Sequence, residues 1–327
     1  MHAETQTSGH PLIPLVDTAR GLRALARADP ITPARAAWLL IQAGRELRPL
    51  ARLVASLAEA GFPLPDMTRG LFDAAIPGRD AGQVLVETGA VKDAEPLARA
   101  LKAAGYVLRE TARGVRAGLP ALGAQRLVTL LKEVFHPLSL DPQSLAELLR
   151  DTGYSVPEAA PVLRVEFPRL AVEPFATALQ RGYRLTVVQA AELAVGLAAA
   201  DFPFTEAGNA LKHCFPDITA AQLVAALQRA YPTPTPLALA RELRKAGFTL
   251  QQAVPRIRVA FQDVSASDLA SAVVGVYGLT VAQATDLAVA LAAAEYPPEA
   301  TGRALKYVFP DITAAQFVAA MKKAYGS

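Results

Sequence analysis

The feature that most constrains this chain is a near-copy of itself. Tyr183–Tyr231 and Tyr277–Tyr325 match at 31 of 49 positions when aligned at an offset of 94. A self-repeating chain folds as units that obey the same local rules, and a unit too small to bury enough apolar surface must share a core with its neighbour. The offset divides again. Large apolar anchors fall at Leu119, Phe167, Phe215, Phe261 and Phe309, spaced 48, 48, 46 and 48. A second series runs Phe62, Tyr106, Tyr154, Phe202, Phe248 and Tyr296. A third, Phe135, Tyr183, Tyr231, Tyr277 and Tyr325, falls 16 residues after the first. The period is about 47 residues, and its phase extends weakly upstream to Ile76 and Ala28, giving about seven units in 327 residues.

Each unit reads as three helices. In the last, Thr280 is expected to cap a helix that runs to Glu295 and stops at Pro297-Pro298. A shorter helix covers about Glu299–Val308, and Thr313 opens a third through Tyr325 after the Phe309-Pro310-Asp311 break. Thr-x-x-Gln recurs at Thr186/Gln189, Thr219/Gln222, Thr280/Gln283 and Thr313/Gln316, with Ser265/Asp268 as a variant. In such a box the hydroxyl accepts from the third helical N–H and the Gln reaches back to the cap's own N–H. Val, Ile and Thr show no sustained alternation, so nothing argues for sheet. Alanine runs such as Ala198–Ala200 and Ala292–Ala294 let helices approach closely, and the aromatics fill the gaps between units. With 52% apolar and 19% charged residues the chain can fill a core.

The expected fold is all-α: a superhelical α-solenoid of about seven three-helix repeats. Residues 11–327 form one domain after a disordered tail at 1–10. Pro232-Thr-Pro-Thr-Pro236 reads as a rigid loop between helices, because the repeat phase runs through it. The unit length and helix count resemble the armadillo and HEAT class of helical repeats. That resemblance implies a right-handed superhelix. Turns such as Ala60-Gly61-Phe62 and Ala104-Gly105-Tyr106, with Ala-Leu-Lys phrases, also resemble Ala-rich helical repeats of large bacterial and phage-tail-associated proteins.

Composition removes several functions. One Cys excludes a disulfide framework or a Cys-rich metal site, and a net charge of +3 does not demand a polyanionic partner. The polar N-terminus carries Glu4 and no apolar run, so it does not read as a secretory signal. The nearest approach to a membrane span, Leu269–Thr285, is broken by Gly275, Gly278, Thr280 and Gln283. A soluble cytoplasmic protein is expected, and the Ala, Leu and Arg bias suggests a bacterial source.

Two basic constellations are the candidate site. Three residues before each first-series anchor stand Arg116, Arg164, Lys212, Arg258 and Lys306, five cations in five consecutive units. Stacked helices would line them up for a phosphate backbone or an acidic protein strip. Alternatively they snorkel, covering apolar neighbours with their stems. The segment 96–132 holds seven bases against Glu110 alone, with Arg109, Arg113 and Arg116 on one helical face. It reads as a docking patch, or as a solvated face whose acids lie on a neighbouring helix.

No catalytic set appears. His2 and His10 lie in the tail, His136 precedes Pro137, and His213 aligns with Tyr307. Cys214 aligns with Val308 and reads as a core filler. Asp217, Asp263 and Asp311 precede helix starts, where negative charge is favourable, and Asp201/Glu295 read as structural too. Trp38 is expected inside the first unit. The expected function is non-enzymatic: a scaffold or adaptor that binds another protein along an extended helical surface, with no cofactor or metal. The alternatives are nucleic-acid backbone binding through the basic ladder, or a structural subunit of a larger, phage-tail-like assembly that self-associates through its terminal repeats.

Overall fold

The computed structural model describes residues 15–28, 32–44, 49–232 and 234–326. The expected tail, with His2 and His10, lies outside the described residues. Among those described the fold is all-α, with twenty α-helices and no strand. The chain divides into two compact units, Met1–Ser139 and Leu140–Ser327. The first holds α1 (Leu15–Ala28), α2 (Pro33–Gly44), α3 (Leu50–Glu59), α4 (Leu64–Asp73), α5 (Gly78–Glu87), α6 (Ala94–Ala104), α7 (Leu108–Gly118) and α8 (Ala124–Val134). The second opens with α9 (Pro142–Asp151), α10 (Val156–Glu166), α11 (Val172–Tyr183), α12 (Ala190–Ala199), α13 (Phe204–Cys214) and α14 (Ala220–Ala230). It continues with α15 (Pro236–Lys245), α16 (Leu250–Ala260), α17 (Ala266–Tyr277), α18 (Ala284–Ala293), α19 (Pro298–Val308) and α20 (Ala314–Tyr325).

Local chemistry sets these bounds. Thr219 and Thr313 accept from the N–H of Gln222 and Gln316, while each Gln oxygen accepts from its threonine's N–H, at 2.9 and 3.0 Å. Thr249/Gln252 forms a further box of this kind. Thr280 begins not an α-helix but a short 3₁₀ turn, Val281–Gln283, before α18. That helix ends at Ala293, because Glu295 lies in the left-handed region at φ 62°. The equivalent loops place Gly61, Gly105, Gly153 and Gly247 at φ 78°, 108°, 85° and 82°, and Asp201 at 58°. Glycine takes that backbone without strain, whereas a residue with a Cβ pays roughly 1–2 kcal/mol. The recurrent acids Asp201 and Glu295 are therefore turn residues. Thr235 caps α15 by accepting from Ala238 N–H at 3.2 Å, with Pro236 as its first residue, so the Pro-rich stretch is a helix start.

Packing follows one rule inside each unit. A helix touches the next helix and also the second one along; in the second unit the latter contact is always the larger. The contacts of that unit thus form two interleaved rows, α9-α11-α13-α15-α17-α19 and α10-α12-α14-α16-α18-α20. Each helix contributes fully buried leucines, valines and alanines, such as Leu163, Leu193, Leu211, Leu227, Leu243 and Leu269. The second-series anchors are all buried, from Tyr154 at 3% exposure to Phe248 at 8%.

In the first unit the closest approach joins α5 and α7. A Cβ on Gly82 would lie 2.1 Å from the Gly114 carbonyl oxygen, and one on Gly118 would lie 2.7 Å from that of Gly82. The helix backbones touch there, and Glu110 adds a carboxylate that accepts from Gly78 N–H at 2.6 Å.

In the second unit four tyrosines tie helix ends to earlier loops. Tyr183, Tyr231, Tyr277 and Tyr325 donate their hydroxyls to the carbonyls of Tyr154, Phe202, Phe248 and Tyr296, each 29 residues earlier, at 2.6–3.1 Å. Burial pushes the phenols of Tyr231 and Tyr277 up to about 12.

Two predictions come from these contacts. Gly82→Ala should destabilise the first unit by about 3 kcal/mol, since neither backbone can yield; urea unfolding followed by Trp38 fluorescence measures it, the only tryptophan lying in that unit. The raised phenols bind protons that the unfolded chain releases near pH 10, so stability present below pH 10 should fall between about pH 10 and 12. Urea midpoints against pH check this, and Tyr231→Phe with Tyr277→Phe should flatten the fall.

Candidate partner-binding surface

The basic ladder is built from the C-terminal ends of the short helices. Each is followed by a tight turn in which Leu170, Ile218, Val264 and Ile312 donate their N–H to the carbonyls of Phe167, Phe215, Phe261 and Phe309. The cation one turn earlier bends over this loop. Arg164 donates to Leu170 O at 3.2 Å, Lys212 to Pro216 O at 2.5 Å and Arg258 to Phe261 O at 3.2 Å. In the first unit Arg116 donates to Pro120 O and, at 3.5 Å, to Leu122 O. Carbonyls at a helix C-terminus carry partial negative charge, so a cation there is well placed.

The same heads lie over aromatic rings. Arg164 stands 4.5 Å from the Phe202 ring centroid, Lys212 5.0 Å from Phe248 and Arg258 5.0 Å from Tyr296. These rings belong to the second anchor series, 38, 36 and 38 residues on. Lys306 lies instead over Phe317 of α20, at 5.2 Å. Arg164, Lys212 and Arg258 thus each join their own C-terminal loop to an aromatic of the second anchor series. The snorkelling alternative describes this geometry.

The rungs do not share one line. Arg164 and Arg258 stand on α10 and α16, in one row, while Lys212 and Lys306 stand on α13 and α19, in the other. Residue type follows the row: arginine in the first, lysine in the second. The neighbouring position does the same, with Val165 and Val259 exposed at 64% and 67% in the first row, and His213 and Tyr307 exposed in the second.

On α7, Arg109 is exposed, Arg113 is half-buried and pairs with Glu110 at 3.5 Å, and Arg116 is half-buried over its loop. Around them Arg99 pairs with Glu95 at 2.8 Å, and Lys102 donates to Val134 O at 2.6 Å. The acids that temper this patch come partly from its own helices.

The remaining candidates resolve as structure. Burial raises the Cys214 thiol to about 11, away from reactivity, beside Thr177. Among the described residues no three His, Cys, Asp or Glu side chains gather as a metal site. Trp38 is half-buried, donates its indole N–H to Asp73 O at 3.1 Å and lies under the Arg35 guanidinium at 3.7 Å. Among the described residues no single helix is long and apolar enough to cross a membrane; the apolar pair at 266–277 and 281–293 bends by 119°. On α20, Ala314 and Val318 are exposed and Phe317 is half-buried, whereas their α14 counterparts Ala220, Val224 and Leu223 are buried.

Glu242 went unnoticed in the sequence. It is fully buried on α15 with one oxygen 3.1 Å from Lys245 Nζ, the other without a hydrogen bond, and burial raises its pKa. A Cβ on Gly208 of α13 would come within 2.8 Å of that second oxygen. Gly196 and Ala290, at its repeat positions, show how easily the oddity could have been seen.

No protein-family model, curated protein or solved structure matches the chain.

Lys212→Ala removes a loop contact and a ring contact together. It should lower stability by about 1 kcal/mol, while Lys212→Arg should restore most of it, as read by urea midpoints.

Proposed function

We propose that the chain is a non-enzymatic scaffold that binds another protein along a repeated helical surface, folded as an armadillo- or HEAT-like, right-handed solenoid of about seven three-helix repeats spanning 11–327 as one domain. The row packing of the second unit supports this. With three helices per repeat and rows that advance by two, neighbouring repeats present the same position on opposite rows. Only every second repeat is equivalent, and this accounts for the strongest self-similarity lying at 94 residues and not at 47. The observation that carries the binding role is the exposed apolar side chain beside a cation, recurring with the row: Val165 and Val259 in one, Tyr307 in the other. Stability does not require apolar groups two-thirds exposed, whereas a partner strip that alternates apolar and acidic residues would cover both. The candidate residues Arg164, Lys212, Arg258 and Lys306 then serve as charged neighbours of that surface in the second unit, and Arg109, Arg113 and Arg116 as a basic patch of the first.

Nucleic-acid binding is less well supported, because the rung heads already face carbonyls and rings. The two readings separate by salt. Five phosphate contacts would give log affinity against log salt a slope near about −4.5. Capture from nuclease-treated lysate at about 0.1 M and about 0.5 M salt is the test. A protein retained at the higher salt, and lost from the Val165→Asp/Val259→Asp chain, is expected. Recovery of nucleic acid alone, or equal capture by that chain, would overturn the scaffold reading.

A further inference from the structure

Among the places where the helix pair α15/α17 departs from its counterpart α9/α11, 94 residues earlier, one patch of surface changes its charge. In α9/α11 five of the six corresponding residues are bridged to one another, and the six carry no net charge. Gln143 donates to Glu147 at 3.1 Å, while Arg150 donates to Gly182 O at 2.6 Å and to Asp151 at 2.7 Å. Two acids, Glu147 and Asp151, balance two bases, Arg150 and Arg181. Shifting by 94 replaces Gln143, Glu147, Arg150, Asp151, Arg181 and Gly182 by Leu237, Arg241, Arg244, Lys245, Gly275 and Val276. Both acids have become bases. These six positions, five of them changed and one still arginine, line an open groove of about 620 Å³.

Arg244 keeps the cation of Arg150, and α6 holds Arg99 and Lys102 at the repeat positions of Arg241 and Arg244, so what sets α15 apart from its counterpart is the loss of both acids. The flanking helices α12 and α18 hold Val195, Ala198 and Ala199, and Val289, Ala292 and Ala293, where α15 holds Arg241, Arg244 and Lys245. Packing does not explain Gly275. It is exposed in the last turn of α17, and an added Cβ would meet nothing within 4 Å. Other helices at that repeat position carry Arg181, Arg229 and Lys323. A helix-weakening residue with no steric reason leaves the groove floor open.

The cations are differently held. Lys245 is fixed between Thr205 O at 3.0 Å and the buried Glu242 at 3.1 Å, so its charge is matched within the fold. Arg244 has lost the carboxylate that Arg150 enjoys and lies only over the Tyr277 ring, 5.9 Å from the centroid. Arg241 is exposed and has no ion-pair or hydrogen-bond partner among the described residues. Two arginines therefore await an anion, and Leu237, 39% exposed, offers an apolar surface one helical turn from Arg241. Guanidinium forks suit carboxylates, and the apolar end favours a peptide over a compact ion.

We propose that the α15/α17 groove binds an acidic peptide segment of a partner protein, its carboxylates on Arg241 and Arg244 and an apolar side chain on Leu237 and Val276. The inference rests on the scaffold reading and names the partner's chemistry. The probe is a fluorescein-labelled, capped peptide of alternating Leu and Glu, titrated with the full chain at low salt and read by anisotropy, beside an alternating Leu and Gln peptide. The acidic peptide should bind. Arg241→Glu/Arg244→Glu should weaken it by about tenfold or more, and Gly275→Arg, which restores the side chain found at the counterpart, should weaken it by filling the floor. Circular dichroism should show all variants folded, since the altered residues are exposed. No binding of the acidic peptide, equal binding of the Gln peptide, full displacement by inorganic phosphate at millimolar levels, or unchanged affinity in the charge-reversed chain would overturn the proposal. The Val165 and Val259 surface lies outside this groove, so capture lost there and peptide binding lost here report the two readings separately.

Discussion

No described helix exceeds 14 residues, and most have 10 to 12. Helices that short are marginal in water, whatever their propensity, because nucleation consumes what few hydrogen bonds they close. Every helix here depends on its neighbours and, in the second unit, above all on the one two places along the chain. That dependence explains the choice of side chains. Contact between backbones requires small residues, hence the alanine runs and, between α5 and α7, glycines with no Cβ at all. Large residues are displaced to the loops, where Phe202, Phe248 and Tyr296 fill the spaces between helix ends and receive the cations Arg164, Lys212 and Arg258.

The local half of this design was legible. Thr-x-x-Gln and the Pro breaks act within four residues; α-helices begin directly after Thr219 and Thr313, while after Thr186 and Thr280 a 3₁₀ turn comes first. Thr249/Gln252 had the same spacing and was equally readable. The misplaced end of α18 has a clear cause: nothing in Ala-Ala-Ala-Glu-Tyr announces that Glu295 will turn left-handed, whereas Gly247 in the same place would have. The partners across helices were less accessible. That tyrosines recur 29 residues after another aromatic is plain in the sequence; that the hydroxyl reaches that residue's carbonyl is a matter of three dimensions.

The candidate site shows the limit more sharply. A cation every 47 or so residues suggested a line, because helix position within a repeat was legible and the row was not. Once rows are known, the arginine/lysine alternation at Arg164, Lys212, Arg258 and Lys306 becomes informative, as does the change from Arg150-Asp151 to Arg244-Lys245. Comparing residues 94 apart isolates what a duplicated surface has altered, and five of the altered residues line one groove. Comparing residues 47 apart mixes the two rows and blurs that contrast.

The two-row packing also limits how such a chain can grow. Inserting a single three-helix block into the second unit would move every later helix to the opposite row, where its neighbours differ: Pro161 and Pro255 would fall where Asn209 and Arg303 stand, and the Gly208 that makes room for Glu242 would meet another partner. Inserting six helices leaves each residue among the contacts it was selected for. On the proposed three-helix repeat, the second unit keeps its contacts when it lengthens by two blocks at a time.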